Sequence, residues 1–188
     1  MGSIAVMAEL YALRPRLHNS RLGSMEYRLR NVCKADLEPI LRLNESEVPH
    51  VGSIDLAKLE WFAEHAAYFR VAARGESIGA YLVGLRPGTC YASPNYRWFC
   101  ERYADFAYVD RVAVAEYARR QRLASRLYAD FAATVIDAAP VMTCEVNIRP
   151  PNESSLRFHR QLGFEQVGSL ESEDGAKAVA MLVKRLGQ

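Results

Sequence analysis

The stretch "FAYVDRVAVAEYARRQRLASRLYADFAATVIDA", residues 106–138, constrains the fold more than any other part of the chain. Residues 106–114 read as a strand, and a short Arg-rich turn follows. Leu123, Leu127, Phe131 and Val135 then recur at the four-residue spacing that places them on one face of a helix. A strand that runs directly into a one-faced helix calls for a sheet the helix can cover. By alternation, Tyr108, Asp110, Val112 and Val114 are expected to share one face of that strand.

The rest of the chain fits this frame. Tyr27, Leu29 and Asn31 alternate with Arg28, Arg30 and Val32 as in a strand with one wet face. Asp36 is a suitable N-cap with Pro39 in the first turn, and Leu37, Ile40, Leu41 and Asn44 continue the helix. A second helix is predicted from about Asp55, burying Leu56, Leu59, Phe62 and Ala66. "YFRVAARGESIGAYLVGLRPG" reads as a hairpin turning near Arg74-Gly75-Glu76. Residues 86–105 are turn-rich and aromatic, and are read as an irregular loop, the kind that is functional or mobile. "VMTCEVN" is a buried strand, and "NESSLRFHRQLGF" a helix capped by Asn152. Two strands around Glu173-Asp174-Gly175 close the chain. The order predicts a mixed α/β fold: a central sheet of about six to seven strands flanked by about four helices.

A chain of 188 residues suits one domain, placed at 25–188. Residues 1–24 lack a periodic pattern and are expected to be an N-terminal extension, mobile or introduced by expression. The net charge of +2 gives no reason to expect a nucleic-acid partner. No apolar run approaches the roughly 20 residues of a membrane helix. Cys33, Cys90, Cys100 and Cys144 form no CxxC pair, so neither a metal site nor a disulfide framework is indicated, and a cytoplasmic setting fits. The 20 arginines against 4 lysines favour phosphate or carboxylate recognition, although an Arg-rich genome gives the same excess.

At the strand–helix junction the first backbone N–H groups of the helix have no intrahelical partner, and with the helix dipole they form an anion site. Arg119, Arg120 and Arg122 add charge suited to a diphosphate. A solvated basic helix start and an RNA-binding patch are the competing readings.

With this junction and "FHRQLGF" together, the chain resembles the GNAT superfamily of acetyl-CoA-dependent N-acetyltransferases. The family's Q/R-x-x-G-x-G/A turn reads here as Arg119-Arg120-Gln121-Arg122-Leu123-Ala124. Its strand carboxylate, Asn-x-x-S/A and (Y/H)xxLGF elements match Glu145, Asn152 to Ser155, and His159 to Phe164. "SPNYRWFCERYADFAYVDRVAV" resembles a bacterial subgroup of unassigned substrate. Arg122 stands where the pattern has its first Gly. As a residue opening a helix it is expected to have an ordinary negative φ, leaving its N–H available.

The resemblance implies a fold, a cofactor and roles. Acetyl-CoA would lie against Val112, Ala113, Val114, Arg119, Arg120, Gln121, Arg122, Leu123, Ala124, Ser125, Asn152, Ser155 and His159. Glu145 would be the general base, with Asp110 its rival, and His159 the general acid to the thiolate. Asn44, Glu45, Trp61, Tyr91, Asn95, Tyr96, Trp98 and Tyr103 lie in regions that would wall the acceptor side, with Tyr108 as a further substrate-binding candidate. The acceptor is expected to be a small-molecule amine. A protein or peptide N-acetyltransferase and a non-catalytic acyl-CoA-binding regulatory domain are the alternatives. No metal is implied, and a homodimer is left open.

Overall fold

The computed structural model describes residues 26–172 and 174–187, so the expectation for 1–24 lies outside the described residues. Along the chain run β1 (Arg28–Asn31), α1 (Leu37–Ser46), α2 (Leu56–His65), β2 (Tyr68–Arg74) and β3 (Ser77–Leu85). They are followed by α3 (Pro94–Cys100), β4 (Ala107–Val114), α4 (Leu123–Val135), β5 (Val141–Arg149), α5 (Glu153–Gln161), β6 (Glu165–Glu171) and β7 (Ala178–Arg185). The strands form one sheet in the order β1-β2-β3-β4-β5-β7-β6. Only β4 and β5 run parallel; every other neighbour pair is antiparallel. The fold is therefore mixed α/β, as expected.

Helix α4 covers β2, β3 and β4, burying Leu123, Leu127, Phe131 and Val135 as their spacing predicts. Gly84 lets it approach: a Cβ there would lie 2.4 Å from the Phe131 ring. Helix α2 opens at Asp55, whose carboxylate accepts from the Lys58 N–H at 2.7 Å. Asp36 does stand at the N-cap of α1, but its carboxylate turns elsewhere, to Arg30 and the Cys33 N–H.

Three features differ from the sequence-based reading. First, the segment 86–105 is not wholly irregular. Ser93 accepts from the Tyr96 N–H and Pro94 occupies the first turn, which together start α3.

Second, β4 carries a bulge. Arg111 pairs with Val83 and Val109 with Gly84, so Asp110 is an extra residue without a partner on β3. The bulge reverses the alternation beyond it. Tyr108 faces the same side as Leu85, and Arg111 and Ala113 follow on that side opposite Val83 and Tyr81. Val112 and Val114 point to the other side, so the expected common face of Tyr108, Asp110, Val112 and Val114 does not exist.

Third, Arg122 is the N-cap of α4 with φ 57° and ψ 24°, in the left-handed region, and Arg120 has φ 62°. The negative φ expected for Arg122 is thus incorrect: it is the last residue of the turn, not the first of the helix. This is a dihedral reason for the family's glycine at that position, since an L-residue there costs about 1–2 kcal/mol. Part of that is offset because glycine loses more conformational freedom on folding. Arg122→Gly should therefore raise stability by about 0.5–1 kcal/mol, a shift of a few degrees in Tm by thermal unfolding. An unchanged or lower Tm would show that the side chain contributes more than the backbone strain costs.

Candidate active site

Strands β4 and β5 pair only over Ala107–Val109 with Met142–Cys144. Both continue past this point, to Val114 and Arg149, each still paired on its outer side, with β3 and with β7. The inner edges of residues 110–114 and 145–149 therefore have no ladder partner in each other and leave a wedge in the sheet. Unpaired backbone N–H and C=O groups line such an edge and await a partner.

Glu145 is the first β5 residue beyond the last pair. Its Oε1 accepts from Asn95 Nδ2 at 2.9 Å and its Oε2 from the Tyr108 hydroxyl at 2.8 Å. Asn95 comes from α3 and Tyr108 from β4, so three elements fix the carboxylate. It keeps some solvent contact as a residue, but the carboxylate is deep in the protein. Burial, then the nearby Asp110 charge, push its pKa up to about 7, against the two hydrogen bonds that pull it down. A carboxyl poised there can accept a proton near neutral pH.

Asp110 lies close by with its side chain only 4% exposed. Arg111 Nε bonds it at 2.9 Å, and Arg111 Nη1 reaches Asn44 Oδ1 at 3.0 Å and the Gly52 carbonyl at 3.2 Å. Asp110 is therefore ion-paired, whereas Glu145 has only neutral donors. This difference favours Glu145 as the proton acceptor of the two.

The expected acceptor-side residues divide. Tyr108 joins Glu145 directly. Asn44 is fully buried, accepting from the Tyr81 hydroxyl at 2.6 Å and donating to Glu45 and to the Gly52 carbonyl. Glu45 accepts from Ser53 and from the Ile54 N–H. Both residues are engaged in holding the α1–α2 connection. Tyr96 is buried, donating to the Arg86 carbonyl and accepting from the Thr89 N–H. Trp98 packs on Gly168 of β6, where a Cβ would meet its ring at 2.7 Å. Asn95 and Tyr91, also expected on the acceptor side, hold Glu145 and face Asp110 respectively, and Lys58, which the sequence did not single out, feels the Asp110 charge.

His159 is buried, with Nε2 2.7 Å from the Tyr128 hydroxyl and Nδ1 2.8 Å from the Ser155 carbonyl. The carbonyl requires a proton on Nδ1, so Nε2 accepts from Tyr128. The rings of Tyr128, Phe158 and Phe164 surround it, and burial lowers its pKa. To protonate a thiolate the imidazole would have to give up one of these bonds.

A coenzyme fits the wedge and the turn beside it. The mouth of α4 has no capping side chain. Arg120, Gln121 and Arg122 are exposed around it, with Leu123 buried and Ala124 and Ser125 half-buried in the first turn. Arg119 is held by Glu47 through bonds of 2.7 and 2.9 Å. A diphosphate could take the helix N–H groups, and an amide-bearing arm the free edge at Val112, Ala113 and Val114. Asn152 caps α5 by accepting from the Ser155 N–H, and its Nδ2 has no bond among the described residues. No helix among the described residues is long and apolar enough to cross a membrane.

Comparison with known proteins gives the family and the fold. The acetyltransferase (GNAT) family matches residues 36–164, well over half of the chain. No curated protein sequence matches. Among solved structures, the chain is similar to Ard1 from Thermoplasma volcanium, with a TM-score of 0.69 and 18% identity over 87% of this chain and 99% of that one. Naa20 from Chaetomium thermophilum, in complex with a bisubstrate analogue, gives a TM-score of 0.67 and 19% identity over 85% and 86%. A protein thought to be a phosphinothricin N-acetyltransferase gives 0.63 and 19% over 86% and 99%. The chain belongs to the GNAT family and is an acetyltransferase that uses acetyl-CoA.

Proposed function

We propose that this acetyltransferase acetylates the amine of a small molecule, with Glu145 as general base. The observation that carries the assignment is the Glu145 carboxylate. It is held by Asn95 and Tyr108 where β4 and β5 part, and is shifted by burial toward neutral pH.

Bound acetyl-CoA would supply an activated acyl carbonyl, with its diphosphate at residues 119–125 and its arm along residues 112–114. Asn152 and Ser155, at the start of α5, would flank its thiol end. An amine reaches the site mostly as an ammonium ion. Glu145, directly or through one water, takes a proton and frees the lone pair for attack on the carbonyl. Tyr108 and Asn95 then stabilise the charge balance by holding the carboxyl in place through both protonation states. Asp110, paired with Arg111, adds to the burial that raises the Glu145 pKa.

A small acceptor is favoured because the surroundings of Asp110 and Glu145 are packed elements, with Asp110 almost wholly buried. The likeness to Ard1 and Naa20 supports a second reading, acetylation of a protein N-terminus.

For His159 the occupied ring nitrogens favour a positioning role, locking α5 to Tyr128, over direct protonation of the thiolate. As the C–S bond breaks, the thiolate would take, through water at the cleft, the proton that the attacking nitrogen loses, and Glu145 would return its own to solvent. The test is thiol release from acetyl-CoA with amines, amino acids and short peptides, in the wild type and in His159→Phe. Saturable release with a small amine is expected, and His159→Phe should lower kcat less than tenfold while lowering Tm. Release with peptides alone would overturn the small-acceptor reading. A hundredfold loss of kcat at unchanged Tm would return the acid role to His159.

A further inference from the structure

The feature that the proton-transfer chemistry does not use is Lys58. Its ammonium lies 4.0 Å from the centroid of the Trp61 ring, 4.2 Å from that of Tyr91 and 5.1 Å from that of Phe62. Ring faces attract a cation but accept none of its N–H bonds in the ordinary geometry. No hydrogen bond or ion pair of this ammonium occurs among the described residues. Asp110 and Asp55 attract it from a distance, but Asp110 is bonded to Arg111 and Asp55 caps α2. Lys58 is half-buried, so three strong donors stand partly desolvated with an unmet demand for an anion.

A second cation shares the same ring. The Arg111 guanidinium sits 5.6 Å from the Phe62 centroid, on the side that carries Asp110. Lys58 and Arg111 repel one another, and a single carboxylate, Asp110, serves both. Glu45 also feels Arg111, but Ser53, Asn44 and the Ile54 N–H already occupy it. Arg111 is bonded directly to Asp110, whereas Lys58 has no direct anionic partner among the described residues.

The Lys58 cluster is continuous with the reacting groups. Tyr91 stacks under Lys58, faces Asp110 with its hydroxyl and feels the Glu145 charge. Tyr91 also contacts Tyr96, Tyr96 contacts Tyr108, and Tyr108 bonds Glu145. A cationic polyamine would meet Lys58 head on. A zwitterion would instead present its amine to Glu145 and its anion to the ammonium over the rings.

We propose that the acceptor is a free amino acid, its carboxylate bound by Lys58 and its amine delivered to Glu145. This rests on the acetyltransferase reading of the same site and names the acceptor class for it. Lys58 is thus a specificity-determining residue, and the Trp61 and Tyr91 faces hold it in position.

The test uses the full chain and matched acceptors: L-methionine, L-phenylalanine and L-tryptophan, each against its carboxamide and its decarboxylated amine. Acetyl-CoA binding is measured separately by calorimetry. At least one free acid should exceed its amide in kcat/KM by tenfold or more. Lys58→Met should reduce that ratio to near one through KM, with acetyl-CoA affinity unchanged, and Lys58→Arg should restore part of it. A merely structural lysine would lower activity on acid and amide alike and leave the ratio intact, which overturns the proposal. Equal or better use of the amides, or no acetylation of any acid, also overturns it. Intact acetyl-CoA binding in that case would show that the acetyltransferase reading survives, whereas no binding would show that the underlying reading had failed.

Discussion

Glu145→Gln is expected to lower kcat by about 10²–10⁴-fold at pH 8, the range a positioned general base supplies. The deficit should shrink by about tenfold per pH unit below 7, because the wild-type carboxyl is then itself protonated. The wild-type kcat should accordingly rise with pH through an apparent pKa near 7, and the variant should lack that limb. Stability should move the other way. The carboxyl has an ordinary pKa of 4.5 that folding raises to about 7, so the folded chain holds the proton more tightly between these values. The stabilisation is complete below about pH 4.5 and is lost as pH rises through 7, to the order of 3 kcal/mol. The glutamine keeps no such dependence, so its Tm relative to wild type should be higher at pH 8 than at pH 5. Acetyl transfer by the variant at wild-type rates across this range would transfer the base role to Asp110.

Asn44→Leu is expected to cost about 3 kcal/mol or more in urea unfolding. Asn44 has no solvent exposure, and its amide joins Tyr81, Arg111, Glu45 and the Gly52 carbonyl. Leucine matches the volume but leaves several polar groups without a partner, at about 1–3 kcal/mol each. Removing the tyrosine hydroxyl as well, in Asn44→Leu with Tyr81→Phe, should recover part of the loss. A cost below 1 kcal/mol would mean that the network is dispensable and would reopen Asn44 as a substrate ligand.

These two residues also show what sequence reasoning can reach. The apolar spacing of α4 and the turn at Arg74-Gly75-Glu76 are local properties, so the sheet and its covering helix could be read directly. Glu145 and Asn152 are candidates from motif spacing along one continuous segment. Helix α3 was missed although Ser93-Pro94 is a legible start signal, because the aromatic, turn-rich setting masked a helix of only seven residues. The bulge at Asp110 was not legible. It depends on how β4 meets Val83 and Gly84, residues remote in sequence, and one extra residue reverses every side chain after it. The left-handed φ of Arg122 was hidden for a similar reason: its type gives no hint of it, whereas glycine would have. Asn44 was legible as a polar residue on the apolar face of its helix, but not as the centre of an internal network with β3 and β4.

The three residue pairs joining β4 to β5 have a mechanical consequence. Four strands lie on one side of that seam and three on the other, so the sheet is two plates hinged at one end. A ligand arm that hydrogen-bonds both inner edges acts as a stitch, extending the joint along strands that protein alone leaves apart. The donor is then also a temporary structural member, and its departure after each turnover loosens the seam through which the next one must enter.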